Sequence, residues 1–597
     1  MIKAKPFSLE QVRLLDGVFK AAMERDQAFM LSLDPARLLR NFRVAAGLPT
    51  TAEPLGGWES PDCELRGHTV GHYLSACALM FAGTGDVRFK ERADLIVSEL
   101  AACQDALPAQ GYTPGFLSAY PESFFDRVER RFMVWAPYYT LHKIVAGLLD
   151  AYAHCGSRQA LDIAEKLAGW IHARLSRLDH EEVQIMLLNE PGGMNEALAN
   201  LYGITGKAEH RALALAFNDE VVLDPLARGV DQLDRLHANT QIPKAVGAAR
   251  QYELTGETRF RDIARFFWER VALHRSYVIG GNSDDELFFP ADRFAQHLSP
   301  RSAETCNTYN MLRLTRHIFA WEPSARTMDF YERALFNHIL GSQDPETGMM
   351  LYFASLKPGH FKVYSSPEHS FWCCTGTGME NHARYGEAIY AHNDESLYVN
   401  LFIASELTWD DKELILRQET RFPEQETTRL TLLCRRPLRL TIKMRCPGWA
   451  NGVSLTVNGE AVPVRLSADG YIPITREWSD GDQIAIRLPM RLHVESLLDA
   501  PDVAAALYGP IVLAGALGTE GMPDVYQKLM HTRESPVHWG ATPDVPVLPG
   551  DLDAVLGRIE AVDGQPLTFR IDGITLIPFY RMHHQRYTVY WKTGSAV

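Results

Sequence analysis

The sequence predicts a mainly helical protein with β structure behind it: an (α/α)6 barrel followed by one or two antiparallel β-sandwich domains. Three observations support this fold class. A helix-hairpin repeat runs through roughly the first two thirds of the chain, long non-repetitive insertions interrupt it, and the apolar pattern changes to period two after residue 394. A chain of 597 residues is too long to fold around a single hydrophobic core. We expect a barrel over residues 1–393, a sandwich over 394–500, and a C-terminal β segment or second sandwich over 501–597.

Each helical repeat is marked by an aromatic residue followed four residues later by a glycine. An apolar segment with helical period precedes each glycine and another follows it, and a glycine in that place is a typical helix C-cap. Each unit is therefore a helix, a short turn and a second helix. A further helical stretch is expected from Leu9 to Ala46. The four marked pairs are Phe81 and Gly85, Tyr152 and Gly156, Tyr202 and Gly206, and Tyr252 and Gly256.

The insertions favour a closed ring of hairpins over an open right-handed solenoid, which is the alternative for such a repeat. Residues 107–131 and 277–302 are rich in glycine, proline, asparagine, serine and aromatic residues. Long loops of this composition commonly build the pocket at a barrel mouth.

The last third of the chain reads as short β-strands. Apolar residues alternate or β-branched residues cluster in five runs, and Asn458-Gly459 and Asp480-Gly481 supply turns between them. Strands at this spacing are typical of an antiparallel sandwich. A last strand-like segment, 552–593, follows a proline-rich linker at 542–549. The five runs are 396–403, 430–434, 438–444, 453–457 and 483–488.

Composition excludes several classes of function. With 74 acidic and 60 basic residues the net charge is −14, and without a basic block a nucleic-acid partner is not expected. The N-terminus lacks an apolar stretch of signal-peptide length, and no apolar region is long enough to span a membrane. We therefore expect a cytoplasmic protein without a membrane partner. Nine unevenly spaced cysteines suggest reduced thiols instead of a disulfide framework. Oligomeric state has no signal in the sequence.

Four side chains form the strongest candidate site: Glu304 and Cys306 at the start of a predicted helix, and the vicinal pair Cys373 and Cys374 before a predicted helix from Met379 to Tyr390. Three thiols and a carboxylate match the ligand types of tetrahedral Zn²⁺, and a metal-bound thiol is deprotonated and nucleophilic. The alternatives are buried neutral cysteines and a closed structural zinc site.

Catalysis at such a site also needs an acid, and Glu286 lies in the glycine-containing loop 279–288. A retaining glycosidase needs a nucleophile and a proton donor about 5 Å apart, which a cysteine and Glu286 would supply. The alternative is a solvated loop carboxylate. Glu380 is a candidate to orient the zinc loop. Candidates for contacts to a sugar, each also compatible with a hydrogen-bonded or packed core position, are His142, His237, His68, His72 and Trp58.

Several motifs together resemble one enzyme family, the zinc-dependent β-L-arabinofuranosidases of glycoside hydrolase families 127 and 146. The resemblance implies an (α/α)6 barrel that carries the active site, β-sandwich domains behind it, and a zinc-bound cysteine that attacks the anomeric carbon with retention. The motifs are Gly57-Trp58-Glu59, residues 64–72, Gly280-Gly-Asn-Ser-Asp284, Ala303-Glu-Thr-Cys-Asn-Thr308, residues 373–380, Pro578-Phe-Tyr580 and residues 583–587.

Residue by residue, the resemblance implies that Cys373 is the nucleophile and Glu286 the acid/base. Glu304, Cys306 and Cys374 would complete the zinc site, and His142 and His237 correspond to substrate-binding positions. The expected function is a retaining exo-glycoside hydrolase that releases β-linked L-arabinofuranose from plant cell-wall-derived glycans. The alternatives are a hydrolase of another pectic furanoside, a noncatalytic carbohydrate-binding protein with a structural zinc, and a polysaccharide lyase, although lyases have no use for a cysteine pair.

Overall fold

A computed structural model describes residues 2–523 and 536–594 of the chain. Among these residues, no helix combines the length and apolar character that a membrane span requires. The α-helices are, in chain order, α1 (Val18–Ser32), α2 (Pro35–Ala45), α3 (His68–Thr84), α4 (Val87–Ala106), α5 (Ser123–Glu129), α6 (Pro137–Cys155), α7 (Arg158–Leu175), α8 (His180–Met186), α9 (Met194–Thr205), α10 (Ala208–Ala216), α11 (Glu220–Ala227), α12 (Ala238–Thr255), α13 (Thr258–Ala272), α14 (Thr305–Trp321), α15 (Ala325–Ala334), α16 (Cys373–Ala383) and α17 (Leu552–Leu556).

Six of these helices form a closed inner ring. In the order α3, α6, α9, α12, α14 and α16, each packs against the next, and α16 packs back against α3. An outer layer of α4, α7, α10, α13, α15 and α1 packs against the inner helices. The closure confirms the (α/α)6 barrel and excludes the open solenoid.

The repeat glycines end the inner helices as predicted. Gly85, Gly156, Gly206 and Gly256 are the C-caps of α3, α6, α9 and α12, all in the left-handed conformation with φ between 67° and 75°. Glycine adopts this φ without the steric cost that a Cβ would bring. Because the chain enters every inner helix at the same end of the barrel, the N-termini of these helices lie together at one mouth.

The strands lie at both ends of the chain. Their bounds are β1 (Lys5–Pro6), β2 (Val12–Leu14), β3 (Tyr390–His392), β4 (Ser396–Val399), β5 (Ser405–Trp409), β6 (Leu414–Thr420), β7 (Thr427–Cys434), β8 (Leu438–Arg445), β9 (Ser454–Val457), β10 (Glu460–Val462), β11 (Tyr471–Trp478), β12 (Gln483–Arg487), β13 (Leu492–Leu497), β14 (Ala500–Tyr508), β15 (Ile511–Ala516), β16 (Leu548–Pro549), β17 (Glu560–Ala561), β18 (Phe569–Ile571), β19 (Ile574–Pro578), β20 (Tyr587–Thr588) and β21 (Tyr590–Gly594).

Two sheets form the middle β domain and a third follows it. Their strand orders are β1-β3-β4-β8-β11, β10-β9-β12-β7-β6-β5-β2, and β16-β21-β14-β15-β19-β18-β17, with β13 beside β14 and β20 beside β15. Strand β7 alternates exposed and buried residues along its whole length, so one face of its sheet packs on the core. The pairings among the described strands are antiparallel, except for β4 with β8 and β16 with β21.

The N-terminal segment differs from the helical stretch expected from Leu9. Strand β1 pairs with β3 and β2 pairs with β5, so the start of the chain adds an edge strand to each sheet of the middle domain. A short 3-10 turn spans Leu9–Gln11 and the first α-helix begins at Val18. A second α-helix begins after Asp34, whose side chain accepts a hydrogen bond from the Ala36 amide. The helical prediction is wrong over Val12–Leu14, because pairing with strand β5, almost 400 residues away, overrides local propensity.

Candidate metal centre and active site

The four predicted metal ligands come together at the barrel mouth. Glu304 is the N-cap of α14 and Cys306 lies in its first turn. Cys373 and Cys374 are the first two residues of α16, so the prediction of a helix from Met379 to Tyr390 is wrong about its start and its end. The ligands sit directly at the N-termini of two neighbouring inner helices, whose dipoles favour negative charge there.

The separations within this cluster suit one tetrahedral ion. The four ligand atoms all lie within 4.8 Å of one another. The Cys306 and Cys374 sulfurs are 3.1 Å apart, those of Cys373 and Cys374 are 3.9 Å apart, and the Cys373 sulfur is 3.7 Å from Glu304 Oε1. A Zn–S bond of about 2.3 Å puts two thiolates about 3.8 Å apart in a tetrahedron. The cluster therefore has the size and donor set of a metal site.

Burial makes this cluster difficult to ionise without a cation. Glu304, Cys306 and Cys374 are fully buried and Cys373 is nearly so. Burial raises the pKa of Glu304, Cys373 and Cys374 well above their ordinary values, and for Glu304 the neighbouring Cys373 adds to the rise. Burial also opposes ionisation of Cys306, but hydrogen bonds from the other two thiols outweigh it and lower the pKa of Cys306 to about 6. A bound divalent cation reverses this cost, because it stabilises every anion in the cluster.

Glu304 supplies a separate observation that points to a ligand. Its Oε2 atom is buried and has no hydrogen-bond partner among the described residues. A buried carboxylate oxygen without a partner is costly, and coordination of a metal ion would remove that cost. The thiols and the carboxylate therefore fit a metal of zinc's ligand preference.

The predicted acid, Glu286, lies beside this cluster. One ligand atom each from His237, Glu286 and Glu304 lie within 4.8 Å of one another. The Glu286 backbone is in the left-handed region with φ 66° and its carbonyl accepts a hydrogen bond from the Ala238 amide. Three non-glycine residues of its loop, Ser283, Asp285 and Glu286 itself, have positive φ. This conformation is rare in non-glycine residues and is concentrated at functional sites.

A tyrosine that the sequence did not single out, Tyr352, orients the Glu286 carboxylate. The Tyr352 hydroxyl donates a hydrogen bond to Glu286 Oε1, and the Tyr352 carbonyl accepts one from the Thr305 amide at the start of α14. The carbonyl also lies 3.7 Å from the Cys374 sulfur. Tyr352 thus contacts both the acid and the thiol cluster. It was missed because an aromatic residue within the apolar run 349–353 has the pattern of a core residue.

Two of the candidate histidines, His237 and His142, lie near the N-terminal ends of the inner helices α12 and α6. His237 is the N-cap of α12, where its Nδ1 accepts the Thr240 amide, and its Nε2 lies 3.9 Å from Glu286 Oε2. His142 is buried in α6, and burial lowers its pKa well below the ordinary value. Its Nδ1 accepts the Gly193 amide at 3.0 Å, so the neutral ring carries its proton on Nε2 and can donate from there.

The remaining candidates are held in specific contacts. His68 Nδ1 lies 2.9 Å from the Leu65 carbonyl oxygen, and the His68 ring lies 6.1 Å from that of Trp58. Trp58 also lies 6.2 Å from the Tyr352 ring. The structure connects Trp58 to the acid through Tyr352, and it places His68 beside Trp58.

His72 contacts the support of α16 instead of the thiols. Its Nδ1 lies 2.6 Å from Glu380 Oε1, while the Tyr309 hydroxyl donates to Glu380 Oε2. Burial lowers the pKa of His72 to about 4. Glu380 thereby joins α3, α14 and α16, which include both helices that carry the predicted metal ligands.

Residues 11–387 match the family model described as the β-L-arabinofuranosidase GH127 catalytic domain, residues 396–490 match that of the GH127 middle domain, and residues 493–593 match a domain of unknown function. The protein is a glycoside hydrolase. Because the catalytic-domain model covers more than half of the chain, it belongs to glycoside hydrolase family 127, the β-L-arabinofuranosidases.

Solved structures share the whole fold at low sequence identity. A GH127 β-L-arabinofuranosidase from Geobacillus stearothermophilus T6 is 20% identical, with a TM-score of 0.74 over 98% of this chain and 100% of that one. A second GH127 β-arabinofuranosidase is 19% identical, with a TM-score of 0.74 over 99% and 98% of the two chains. A further glycoside hydrolase is 16% identical, with a TM-score of 0.72 over 99% and 98%. No curated protein matches the sequence.

Proposed function

We propose that this protein is a retaining, exo-acting hydrolase that releases β-linked L-arabinofuranose from plant cell-wall-derived glycans. Cys373 is the nucleophile and Glu286 is the acid/base. The observation that carries the proposal is the position of a thiol in a buried four-ligand cluster whose Glu304 also lies beside the Glu286 carboxylate. In this proposal residues 1–393 form the catalytic domain, 394–500 a β-sandwich domain and 501–597 the C-terminal β segment.

Glu304, Cys306, Cys373 and Cys374 would hold Zn²⁺. When bound, the ion keeps the thiols ionised at neutral pH, although a free cysteine has a pKa of about 8.5. The N-termini of α14 and α16 act in the same direction. The chain itself therefore supplies the ligands and the dipoles, and it buries Cys373 where its sulfur is fixed in direction.

The two catalytic side chains divide the reaction into two displacements. In the first, the Cys373 sulfur forms a bond to the anomeric carbon while the glycosidic C–O bond breaks, and protonated Glu286 gives its proton to the leaving oxygen. In the second, the Glu286 carboxylate takes a proton from water, the water oxygen attacks the same carbon, and the C–S bond breaks. Two inversions give overall retention.

Neighbouring side chains hold the sugar and the acid in place. Tyr352 fixes the Glu286 carboxylate, and His237 faces its other oxygen. We propose that His142 donates from Nε2 to a sugar hydroxyl, that His68 and Trp58 line the same pocket, and that His72 contributes through Glu380. Fixed donors of this kind improve binding because they cost little ordering.

The experiment that tests this proposal combines substrates, metal content and one matched substitution. We expect the purified protein to contain zinc and to release L-arabinose from nitrophenyl β-L-arabinofuranoside, and a strong chelator to abolish the activity. Cys373→Ser should lose activity by about 10³-fold or more and keep its secondary structure and most of its metal. Cys434→Ser, which changes a buried thiol in strand β7, should keep both.

Two results would contradict the proposal. One is a zinc-containing protein that hydrolyses no furanoside in a panel of nitrophenyl glycosides, which would favour a noncatalytic carbohydrate-binding role. The other is a Cys373→Ser variant that retains hydrolysis. Activity restricted to a different furanoside would keep the mechanism and change the glycone.

A further inference from the structure

A solvent-exposed tryptophan from the C-terminal region lies at the rim of the active site. The Trp539 side chain is 67% exposed, which is unusual for a large aromatic residue. Its ring lies under the Arg301 guanidinium, 5.8 Å from the guanidinium carbon to the ring centroid. Arg301 lies in the insertion 277–302, which also carries Glu286, and its Nη2 lies 3.9 Å from Glu286 Oε2. One arginine side chain therefore separates Trp539 from the catalytic acid.

The segment that carries Trp539 is anchored to the barrel. The His538 carbonyl oxygen lies 3.0 Å from Nε2 of the buried His360, and the His538 ring packs 5.3 Å from that of Phe361. Burial lowers the pKa of His360 to about 4, so a neutral ring holds this contact at neutral pH. At Gly359, with φ 77°, a Cβ would lie 2.8 Å from the Pro543 carbonyl oxygen. The close approach of the two backbones gives Trp539 a defined place.

Trp539 ends a row of rings that crosses the barrel mouth. The row runs from Trp135 through Trp58 and Tyr352 to Phe353, with successive centroids 4.9, 6.2 and 4.6 Å apart. Arg301 covers Phe353 at 5.4 Å and joins the row to Trp539. The middle of the row, Tyr352 and Phe353, is buried, whereas both ends, Trp135 and Trp539, are exposed, and Trp539 is the more exposed of the two. The row therefore leads from the catalytic pocket to the outside.

The proton donor identifies which part of a substrate would lie at this end. Glu286 must face the glycosidic oxygen, so the sugar residue attached through that oxygen lies on the Glu286 side and extends towards solvent. An aromatic face is a large, rigid, apolar surface, and the C–H face of a sugar ring is its apolar complement. The positive charge of Arg301 is offset by its ion pair with Asp285 and by Glu286, so the surroundings suit a neutral sugar residue more than an acidic one.

We propose that Trp539, together with Arg301, forms the subsite for the neutral sugar residue on the leaving-group side of the scissile bond. This proposal rests on the proposed function for its orientation relative to Glu286. It assigns to the C-terminal region, residues 493–593, a direct part in substrate selection. Small-aglycone glycosides, whose leaving group does not reach Trp539, gain nothing from the subsite.

The test compares one substrate that reaches Trp539 with one that does not. The enzyme with Trp539→Ala should lose about tenfold in kcat/KM on a β-L-arabinofuranosyl disaccharide, while kcat/KM on methyl β-L-arabinofuranoside stays within about twofold. Trp539→Phe should recover most of the loss because it retains a ring. Leu466→Ala is the matched control, since Leu466 is also a highly exposed apolar residue, 58% exposed. It lies in the segment between β10 and β11. That segment contacts the barrel through Asp469 and Ala325, beyond the C-terminal end of α14 and therefore away from the mouth.

A binding measurement separates failure of this proposal from failure of the proposed function. Calorimetry with a thio-linked disaccharide, which resists hydrolysis, should show about tenfold weaker binding to Trp539→Ala than to the wild-type enzyme. If the wild type hydrolyses neither substrate, this measurement still tests the subsite. Equal losses on both substrates, or unchanged binding of the thio-linked disaccharide to Trp539→Ala, would overturn the subsite and leave the proposed hydrolysis standing.

Discussion

At the residue scale, the candidate site brings four acidic side chains so close together that deprotonating all of them is unfavourable. Three thiols and a carboxylate share one buried volume, and burial is the main cause that raises the pKa of Glu304, Cys373 and Cys374. A bound cation would resolve the conflict, and its binding would then be linked to the final packing of the barrel mouth. These ligands were readable from the sequence because few roles suit vicinal cysteines beside glycines. Tyr352 and Trp539 were not, since an aromatic residue has the same pattern in a core and in a pocket.

The clearest prediction at this scale concerns Glu286. We expect Glu286→Gln to lower kcat by about 10² to 10⁴-fold, because an amide can neither give a proton to the leaving oxygen nor take one from water. Metal content, measured by mass spectrometry, should stay unchanged, since the four-ligand cluster is complete without it. Asp285→Asn is the control: Asp285 is the adjacent carboxylate, pairs with Arg301 and shares the positive φ that asparagine tolerates. If Asp285→Asn lowers kcat more than Glu286→Gln does, Glu286 is not the acid/base.

At the element scale, the inner ring depends on close helix crossings. Helices α3 and α6 pack so tightly that a Cβ on Gly147 would lie 2.4 Å from the Gly71 carbonyl oxygen. The sequence marked the helix ends through their glycine caps, but it gave no sign of which interior glycines face a neighbouring helix. That information belongs to pairs of helices and is absent from either one alone.

This crossing predicts opposite effects for two glycine-to-alanine substitutions within helices. Gly147→Ala should destabilise the protein by about 1–3 kcal/mol, because the methyl group forces α3 and α6 apart. Gly169→Ala in α7, where nothing lies within 4 Å of a new Cβ, should stabilise it by about 0.5–1 kcal/mol through lower unfolded-chain entropy. Denaturant unfolding curves measure both. The packing argument fails if Gly147→Ala is neutral.

Glu380 provides the second prediction for an element. Tyr309 lies one turn after Cys306 on α14, and Glu380 lies two turns after Cys373 on α16, so their hydrogen bond joins the two helices that carry the proposed metal ligands. We expect Glu380→Gln or Tyr309→Phe to weaken zinc affinity by about 10 to 100-fold. Competition with a chromophoric chelator measures the affinity, and cobalt-substituted protein should show a shifted thiolate charge-transfer band.

A purely structural role for Glu380 would produce a different result. Thr315 lies further along α14, where its hydroxyl accepts a hydrogen bond from the Trp268 indole at 2.9 Å, and Thr315→Val removes a buried polar contact of similar kind. If Glu380→Gln lowers stability like Thr315→Val and leaves zinc affinity unchanged, Glu380 does not position the ligands.

At the scale of the whole molecule, long-range pairing is what the sequence could not reveal. The barrel and the period-two strands follow local patterns, and these predictions are confirmed. The candidate ligands also stand in local motifs, and the structure brings their four side chains together. Strands β1 and β2 escaped because they are two and three residues long and acquire their structure only from partners near residues 391 and 406. The approach of residues 538–539 to the mouth has the same origin, since no periodicity records a contact between the C-terminal region and residues 301 and 360.

The junction between the barrel and the C-terminal region predicts a pH-dependent stability. His584 Nε2 lies 3.0 Å from Oδ1 of the buried Asp344. This hydrogen bond raises the pKa of His584 above its ordinary value. Burial alone would raise the pKa of Asp344, but the bond from His584 and further donors outweigh it and lower that pKa to about 2.

Because of both pKa shifts, the His584–Asp344 contact stabilises the fold most in mildly acidic solution. The contribution of His584 is fully present below its unfolded pKa of about 6.5 and is lost as the pH rises through the higher folded value. That of Asp344 is present above about pH 4 and is lost as the pH falls towards 2. Asparagine tolerates the φ of 56° at position 584 but cannot become charged. His584→Asn should therefore lower Tm by about 1–2 °C at pH 5.5. The difference should shrink by pH 8.5. His180→Asn is the control: this histidine on α8 also lies beside a carboxylate, 3.2 Å from Glu220 Oε2, but both side chains are highly exposed, so its trend should be much smaller. If the loss of Tm in His584→Asn is equal at both pH values, the charge of His584 does not cause it.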